Sequence, residues 1–549
     1  MQNSFRLSWT PSPALLALLT LGALHALSFA PGPLPHWSLP FVQIFTLAAM
    51  AWHAMRATGL RQALGAGYAF SFGNFCVGLY WLYISLHHYG DLAAPLAIGA
   101  VMILAAWLAL YGALATGLAY SLGARYFSGG SSYQRQLLSA AIWASCWALS
   151  EWLRGTLFTG LPWLNIGYAH VEGVLSGWAP IVGVYGVAWL AAFASAAIAL
   201  LACAKDTQND ARAAVGVGVA VLTGLAGIFF THMTWAVPHG KPMIVRLVQG
   251  NIPQSDKFEP SAFVQGQIDY LELASLEPRS LDGKPNLIVL PETVVPLFQD
   301  EVAPNLWDHW LEVARTREAD IIMGMPLHDR LATRDRYTNS AIGFDANTPA
   351  ADFTSATMPM RYDKHHLVPF GEFVPPGFRW FVDALSIPLG DFDRGQVRQP
   401  LFAVHDQMIA PNICYEDVFG EEIIQSVRPL NETDPGASIL LNLSNLGWFG
   451  DSWALRQHLQ ISRMRALETA RPMLRATNTG MTAAIDPDGS VRGVLDAMHK
   501  GVLDVEVQGT TGMTPYVRWG NSLALIWLGL FLVVGVVLRL TGRRPSQAG

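Results

Sequence analysis

Charge is distributed very unevenly along this 549-residue chain, and that unevenness decides what it can fold into. Only 14% of the residues are charged and 52% are hydrophobic, whereas a soluble globular domain carries about 25% charged residues. Charges are sparse up to about residue 240, ordinary over 241–512, and absent again from Asn521 to Val537. Seven apolar runs of membrane-spanning length precede the charged block, at 13–30, 38–55, 64–87, 92–122, 137–154, 180–203 and 213–235, and an eighth covers 521–540. The expected organisation is therefore a membrane domain of about seven helices over 1–240, a soluble domain over 241–512, and a last helix with its tail over 513–549.

Lysine and arginine alternate between successive connections. Arg56 and Arg61, then Arg125 and Arg135, then Lys205 and Arg212 mark one side, while 31–40 and 87–95 hold none. Arg6, Arg539, Arg543 and Arg544 belong with the basic set. The positive-inside rule then places both termini in the cytoplasm and 241–512 outside. Residues 1–30 also read as a leader ending Ser28-Phe29-Ala30, with the same topology. Arg154 departs from the pattern; it pairs with Glu151 three residues earlier or takes part in substrate binding.

Between 241 and 512 the pattern changes to short β-rich runs. Strands are expected at 243–249, 287–290, 321–325, 341–344, 408–414, 438–443, 473–477 and 482–486. Helices are expected at 261–275, 305–318 and 452–469, the last N-capped by Asp451. Interleaved strands and helices argue for an α/β layered domain. Glu292, Lys364 and Cys414 each stand at the end of a strand-like run, where side chains project into the crevice above a sheet. Cys414 has no other cysteine in its own domain, so it is either a small buried hydrophobe or a nucleophile. A carboxylate, an ammonium and a thiol are a sufficient set for acyl transfer: one takes the thiol proton, one steadies the oxyanion, one attacks.

The segments Leu-Pro-Glu292-Thr, Asp-Lys364-His-His-Leu-Val-Pro-Phe-Gly-Glu372-Phe and Ile-Cys414-Tyr-Glu416 resemble the Glu–Lys–Cys triad of the nitrilase superfamily. Set between membrane runs, with Phe158-Thr-Gly160-Leu-Pro-Trp163 and Asn442-Leu-Ser-Asn445-Leu-Gly-Trp448-Phe449, they resemble the apolipoprotein N-acyltransferase family along the whole chain. The resemblance implies an αββα sandwich joined to a bundle of about eight transmembrane helices, in a bacterial inner membrane with the catalytic domain periplasmic. It implies a phospholipid acyl donor, typically phosphatidylethanolamine, and a diacylglyceryl-cysteine apolipoprotein acceptor. Cys414 would be the nucleophile, Glu292 the base and Lys364 the oxyanion partner, helped by the Tyr415 backbone N–H. Glu372 and Glu416 match supporting carboxylates; Asn339 and Trp163 match positions that help hold substrate. The family often has Lys-Trp where this chain has Lys257-Phe258, which keeps an aromatic and loses an indole N–H.

Several aromatic and aliphatic side chains between Lys364 and Cys414 (Phe373, Phe378, Trp380, Phe381, Leu385, Ile387, Leu389) form either a packed loop or an arm that dips into the interface. Trp448 either lines the same route or packs in the core. Rival readings are a membrane-tethered amidase, a transporter or receptor that only binds ligand, and an inactive anchored domain. Eight spans exceed an amidase's need, and the runs hold almost no intramembrane charge of the kind transporters use. No cofactor or metal is expected, since His87-His88 and His365-His366 are adjacent rather than spaced ligands. With a pI near 6.2 and no basic run, nucleic acid is not an expected partner, and a monomer is.

Overall fold

The computed structural model describes all residues except 1–12, 30–33, 124–132, 205–209, 258, 279–282, 376, 378, 380–390, 432–433 and 542–549. Phe258 and most of the aromatic segment, from Phe378 to Leu389, therefore lie outside the described residues.

Each of the eight apolar runs is helical. They form α1 (Pro13–His25), α2 (Leu39–Met55), α3 (Leu60–Gly78), α4 (Ala94–Gly123), α5 (Tyr133–Thr156), α6 (Ala179–Ala204), α7 (Asp210–Thr231) and a C-terminal helix, Ser522–Thr541. Among the described residues, five of these regions are long and apolar enough to cross a membrane, and a sixth qualifies if α3 and the segment Leu82–Tyr89, bent by 56°, form one span. The expected count of about eight is thus not established by length and composition. Two runs fall short for physical reasons. Helix α1 belongs to an apolar stretch that is too short, and α5 is diluted by Arg135, Ser150, Glu151 and Arg154. The helices share one core, built around Trp143, Trp147, Tyr185 and Trp189.

The charged block folds into two six-stranded sheets packed face to face. In chain order its strands are β1 (Met243–Gln249), β2 (Leu287–Val289), β3 (Asp320–Arg330), β4 (Asp335–Phe344), β5 (Met360–Asp363), β6 (Phe402–Val404), β7 (Gln407–Ile413), β8 (Ile439–Ser444), β9 (Met473–Thr477), β10 (Ala483–Ile485), β11 (Val491–Val494) and β12 (Gly501–Val507). One sheet has the order β12-β1-β2-β3-β4-β5 and the other β11-β10-β9-β8-β7-β6. The central pairs β1–β2, β2–β3, β7–β8 and β8–β9 are parallel. Parallel strands are covered on both faces, which is why β2 reads Leu-Ile-Val and is buried throughout. Val245, Leu247, Val289 and Ile322 of one sheet meet Ile409, Ile413, Leu441 and Leu474 of the other. Helices α8 (Pro260–Ser275) and α9 (Pro304–Arg317) cover the first sheet. The second is covered by α10 (Gly420–Val427) and α11 (Trp453–Thr469), which makes an αββα sandwich.

All eight expected strands are present, 243–249 and 473–477 with the expected bounds, and only 321–325 and 341–344 fall well short of the strands observed. β3 and β4 run on as a long antiparallel hairpin through mostly polar and charged residues, and β5, β6, β11 and β12 were not anticipated. Asp451 is not the cap of α11: Ser452 occupies that position, and Asp451 lies near Arg456 instead. One face of α11 enters the core of the helix bundle through Ala454, Ile461, Met464 and Leu467. The sandwich is therefore seated on the apolar helices through the layer that also carries Cys414. Helix α12 (Ser522–Thr541) packs back against α4, α5 and α6.

Candidate active site

β7 ends at Ile413, and Cys414 turns the chain into a short 3-10 helix, Cys414–Val418. Cys414 has φ of +54°, a left-handed conformation that costs a residue with a side chain on the order of 1–3 kcal/mol. The turn is held by Glu416. One of its oxygens accepts from the backbone N–H groups of His365 (2.6 Å) and His366 (3.0 Å), and the other from Ile413 N–H (2.6 Å) and the Tyr362 hydroxyl (2.9 Å). Glu416 thus ties the lysine segment to the cysteine turn. Burial raises its pKa, against the lowering effect of those N–H donors.

Lys364 follows β5 and is 1% exposed. Its Nζ lies 2.8 Å from Glu372 Oε1 and 3.6 Å from Glu292 Oε1. Asn339, from β4, donates Nδ2 to both carboxylates, at 2.8 Å to Glu292 and 2.7 Å to Glu372. The second oxygen of Glu292 accepts from the Asn445 backbone N–H (2.8 Å), and that of Glu372 from Val368 N–H (2.8 Å). Glu292 sits just past β2, and β3 must pass close behind it. A Cβ on Gly324 would lie 2.6 Å from the Glu292 Cα, so glycine is required there.

Glu292 and Glu372 thus flank Lys364 beside the thiol. Burial first, and then Glu292, push the Cys414 thiol well above the usual range, while Lys364 pulls it back in part. Burial alone would lower the Lys364 pKa; Glu372, Glu292 and Cys414 together raise it. Burial and Glu292 thus favour the neutral thiol, and the flanking carboxylates favour the charged ammonium. Such a thiol becomes a nucleophile only as its proton leaves for a neighbouring base.

The remaining predicted residues form the wall toward the membrane helices. The Tyr415 hydroxyl donates to the Gly160 carbonyl (3.0 Å). Trp163 stacks on His458 (5.6 Å) and on Tyr415 (6.4 Å), and its indole N–H donates to Gln457 (2.7 Å). Arg154 pairs with Glu151 and also donates to the carbonyls of Leu161 and Trp163. The pair is an internal clamp on the loop that presents Trp163. Trp448 meets Tyr89 edge-on at 5.8 Å, and Phe449 meets Trp81 at 4.5 Å. The structure thus brings Glu292, Asn339, Lys364, Glu372, Cys414 and Glu416 into one cluster, with Tyr415, Trp163 and Trp448 along its membrane side.

Sequence reasoning missed Lys257, Gln457, His458, Asp417 and Arg475. Lys257 is buried and donates to the Glu292 carbonyl (3.1 Å); burial lowers its pKa to about 7 although Glu292 opposes this. His458, Asp417 and Arg475 form a buried network behind Cys414. A charge adjacent to a strand-end cysteine, as in Glu416-Asp417, was the available signal for the last group. No group of three or more potential metal ligands occurs among the described residues.

A sandwich of this topology carrying a Glu–Lys–Cys cluster is a carbon–nitrogen hydrolase domain, and residues 244–516 match the family model of that description, "Carbon-nitrogen hydrolase". Residues 21–197 match the model "Apolipoprotein N-acyltransferase N-terminal domain". Curated relatives named apolipoprotein N-acyltransferase include one from Bordetella bronchiseptica, 54% identical, covering 97% of this chain and 98% of its own length. Others are from Ralstonia nicotianae, 44% identical over 92% of this chain and 90% of its own, and Haemophilus influenzae, 33% identical over 93% of each. The chain belongs to the apolipoprotein N-acyltransferase family. Among solved structures, yeast Nit3 of the nitrilase superfamily aligns with 50% of this chain and 93% of its own, at 15% identity and a TM-score of 0.34.

Proposed function

We propose that this enzyme moves a fatty acyl chain from a phospholipid to the free α-amine of a diacylglyceryl-cysteine at the N-terminus of an apolipoprotein, through a thioester on Cys414. The observation that carries this reading is the cluster itself: a cysteine on a left-handed turn beside a buried lysine shared by two carboxylates. Family membership supplies the substrate classes.

In the first half-reaction Glu292 takes the Cys414 proton as sulfur attacks the ester carbonyl. Lys364 and the Tyr415 N–H steady the tetrahedral oxyanion. Collapse breaks the ester C–O bond, Glu292 returns the proton to the departing oxygen, and a lysophospholipid leaves. In the second half the lipoprotein amine attacks the thioester, Glu292 accepts its proton, and the thiol is restored. Asn339 keeps Glu292 and Glu372 apart in orientation, and Glu372 keeps Lys364 charged. Donor and acceptor use one crevice in turn, so the kinetics are ping-pong. An apolar, membrane-facing wall of Trp163, Trp448 and Phe449 excludes water from the thioester.

The same reading has all eight apolar helices crossing the bacterial inner membrane, with 241–512 as the periplasmic catalytic domain, both termini cytoplasmic, and the chain acting as a monomer on phosphatidylethanolamine. Its test is to incubate the purified protein with phosphatidylethanolamine alone and weigh the intact chain, with Cys414→Ala beside it. An added acyl mass on the parent and none on the variant is expected. Hydrolysis of small amides without an acyl adduct would assign the site to an amidase.

A further inference from the structure

Behind the nucleophile lies a network that the reaction scheme above leaves unused. His458, on α11, is fully buried. Its Nδ1 receives a hydrogen bond from Arg475 Nη2 at 3.0 Å. Arginine can only donate, so Nδ1 is the acceptor and the ring proton sits on Nε2. That N–H faces two acceptors, Asp417 Oδ1 at 2.7 Å and the Cys414 carbonyl oxygen at 3.2 Å. Asp417 is in turn held by Arg475 Nη1 (3.1 Å) and by the Ser462 hydroxyl. From β8, Asn442 Nδ2 donates to the same Cys414 carbonyl at 3.1 Å, while also reaching Asn412 Oδ1 at 2.7 Å.

Two donors from two elements therefore grip one carbonyl. That carbonyl belongs to the peptide that continues as the Tyr415 N–H. A trans peptide is planar, so its C=O and N–H point to opposite sides. Fixing the Cys414 C=O toward His458 and Asn442 fixes the Tyr415 N–H toward the other side of the turn. The N–H is one of the first of a 3-10 helix, which has no acceptor for it within the helix. Donation to the carbonyl also polarises the peptide and strengthens its N–H as a donor.

We infer that His458 and Asn442 are positioning residues for the oxyanion site: by clamping the Cys414 carbonyl they aim the Tyr415 backbone N–H at the tetrahedral intermediate. Arg475 and Asp417 serve by holding His458 in the tautomer that donates. The inference deepens the acyl-transfer reading and rests on it. It also gives Trp163 a task. Its ring stacks on His458 and on Tyr415, and its N–H holds Gln457, the residue before His458. The loop clamped by Arg154 thus presses on the clamp from the membrane side.

The test compares two reactions of the same sulfur. Acylation by phosphatidylethanolamine develops an oxyanion; alkylation by iodoacetamide is a displacement at carbon and does not. In the full-length protein, His458→Ala should slow acyl-adduct formation on the order of a hundredfold, the usual cost of a lost oxyanion donor. Alkylation should change less than about threefold, since it needs no such donor. His458→Gln, whose amide N–H takes the place of Nε2–H, should recover acylation to within about tenfold of the parent by the same reasoning. Asn442→Ser removes the other donor and carries the same expectation, so the proposal stays testable if His458→Ala does not fold. Equal loss of both reactions, or loss of neither, would overturn the clamp. A parent protein that forms no acyl adduct would sink the acyl-transfer reading, and the clamp with it.

Discussion

Replacing Glu416 separates scaffold from chemistry. Its carboxylate is 2% exposed and accepts four hydrogen bonds, three of them from backbone N–H groups that join the lysine segment, β7 and the cysteine turn. Alanine leaves those donors buried and unpaired, at about 1–3 kcal/mol each. The total, on the order of 5 kcal/mol, is a large part of the 5–15 kcal/mol that holds a typical domain together. Glutamine keeps the oxygen facing His365 and His366 and turns an NH2 toward Ile413 N–H, while the Tyr362 hydroxyl can rotate to accept. One donor is orphaned, and the cost is about 2 kcal/mol. Glu416→Gln should therefore melt roughly 4–8 °C below the parent and keep measurable acyl-adduct formation, whereas Glu416→Ala should fail to accumulate as folded protein. Thermal unfolding in detergent and intact-mass measurement of the adduct check both. A Glu416→Gln protein as stable as the parent yet as inactive as Cys414→Ala would refute the tie and give the carboxylate a direct chemical part.

Two further perturbations follow from the charges in and around the cleft. Removing the negative charge of Glu292 should lower the Cys414 pKa, because that charge helps to raise it; Glu292→Gln should thus alkylate faster than the parent near pH 8 yet acylate at least about a hundredfold more slowly for want of its base. Glu468 of α11 accepts from the Val184 N–H, next to the left-handed break at Gly183 in α6, and burial pushes its pKa from 4.5 up to about 7. The folded state then binds this proton more tightly than the unfolded chain does, so the group's contribution to stability falls as pH rises from about 4.5 to about 7. Melting temperatures of Glu468→Gln should gain on the parent across that window, and a constant difference would refute the assignment.

Much of this arrangement was legible in the residues. Uneven charge marked the apolar helices, and three strand-end residues marked the cluster of Glu292, Lys364 and Cys414, because both signals are local. The long β3–β4 hairpin was not, since its outer half is mostly charged and polar residues, with Arg336 donating to Asp329 and Asp363 and the Tyr337 backbone N–H to Asp393. Nor was the His458 network: a buried histidine on a helix looks like any other until Arg475, seventeen positions away, is folded against it. The Glu151–Arg154 pair shows the intermediate case. Its spacing gave the ion pair, but the two loop carbonyls that Arg154 also holds belong to the fold of the connection after α5.

The central claim is that the transferred chain passes through sulfur, and a single-turnover chase tests it most directly. The enzyme is loaded with isotopically labelled acyl chain from phosphatidylethanolamine, freed of donor, and mixed with a diacylglyceryl-cysteinyl peptide. The label should leave Cys414 and appear as an amide on the peptide amine at least as fast as steady-state turnover. A labelled adduct that persists while fresh phospholipid still acylates the peptide would contradict the account.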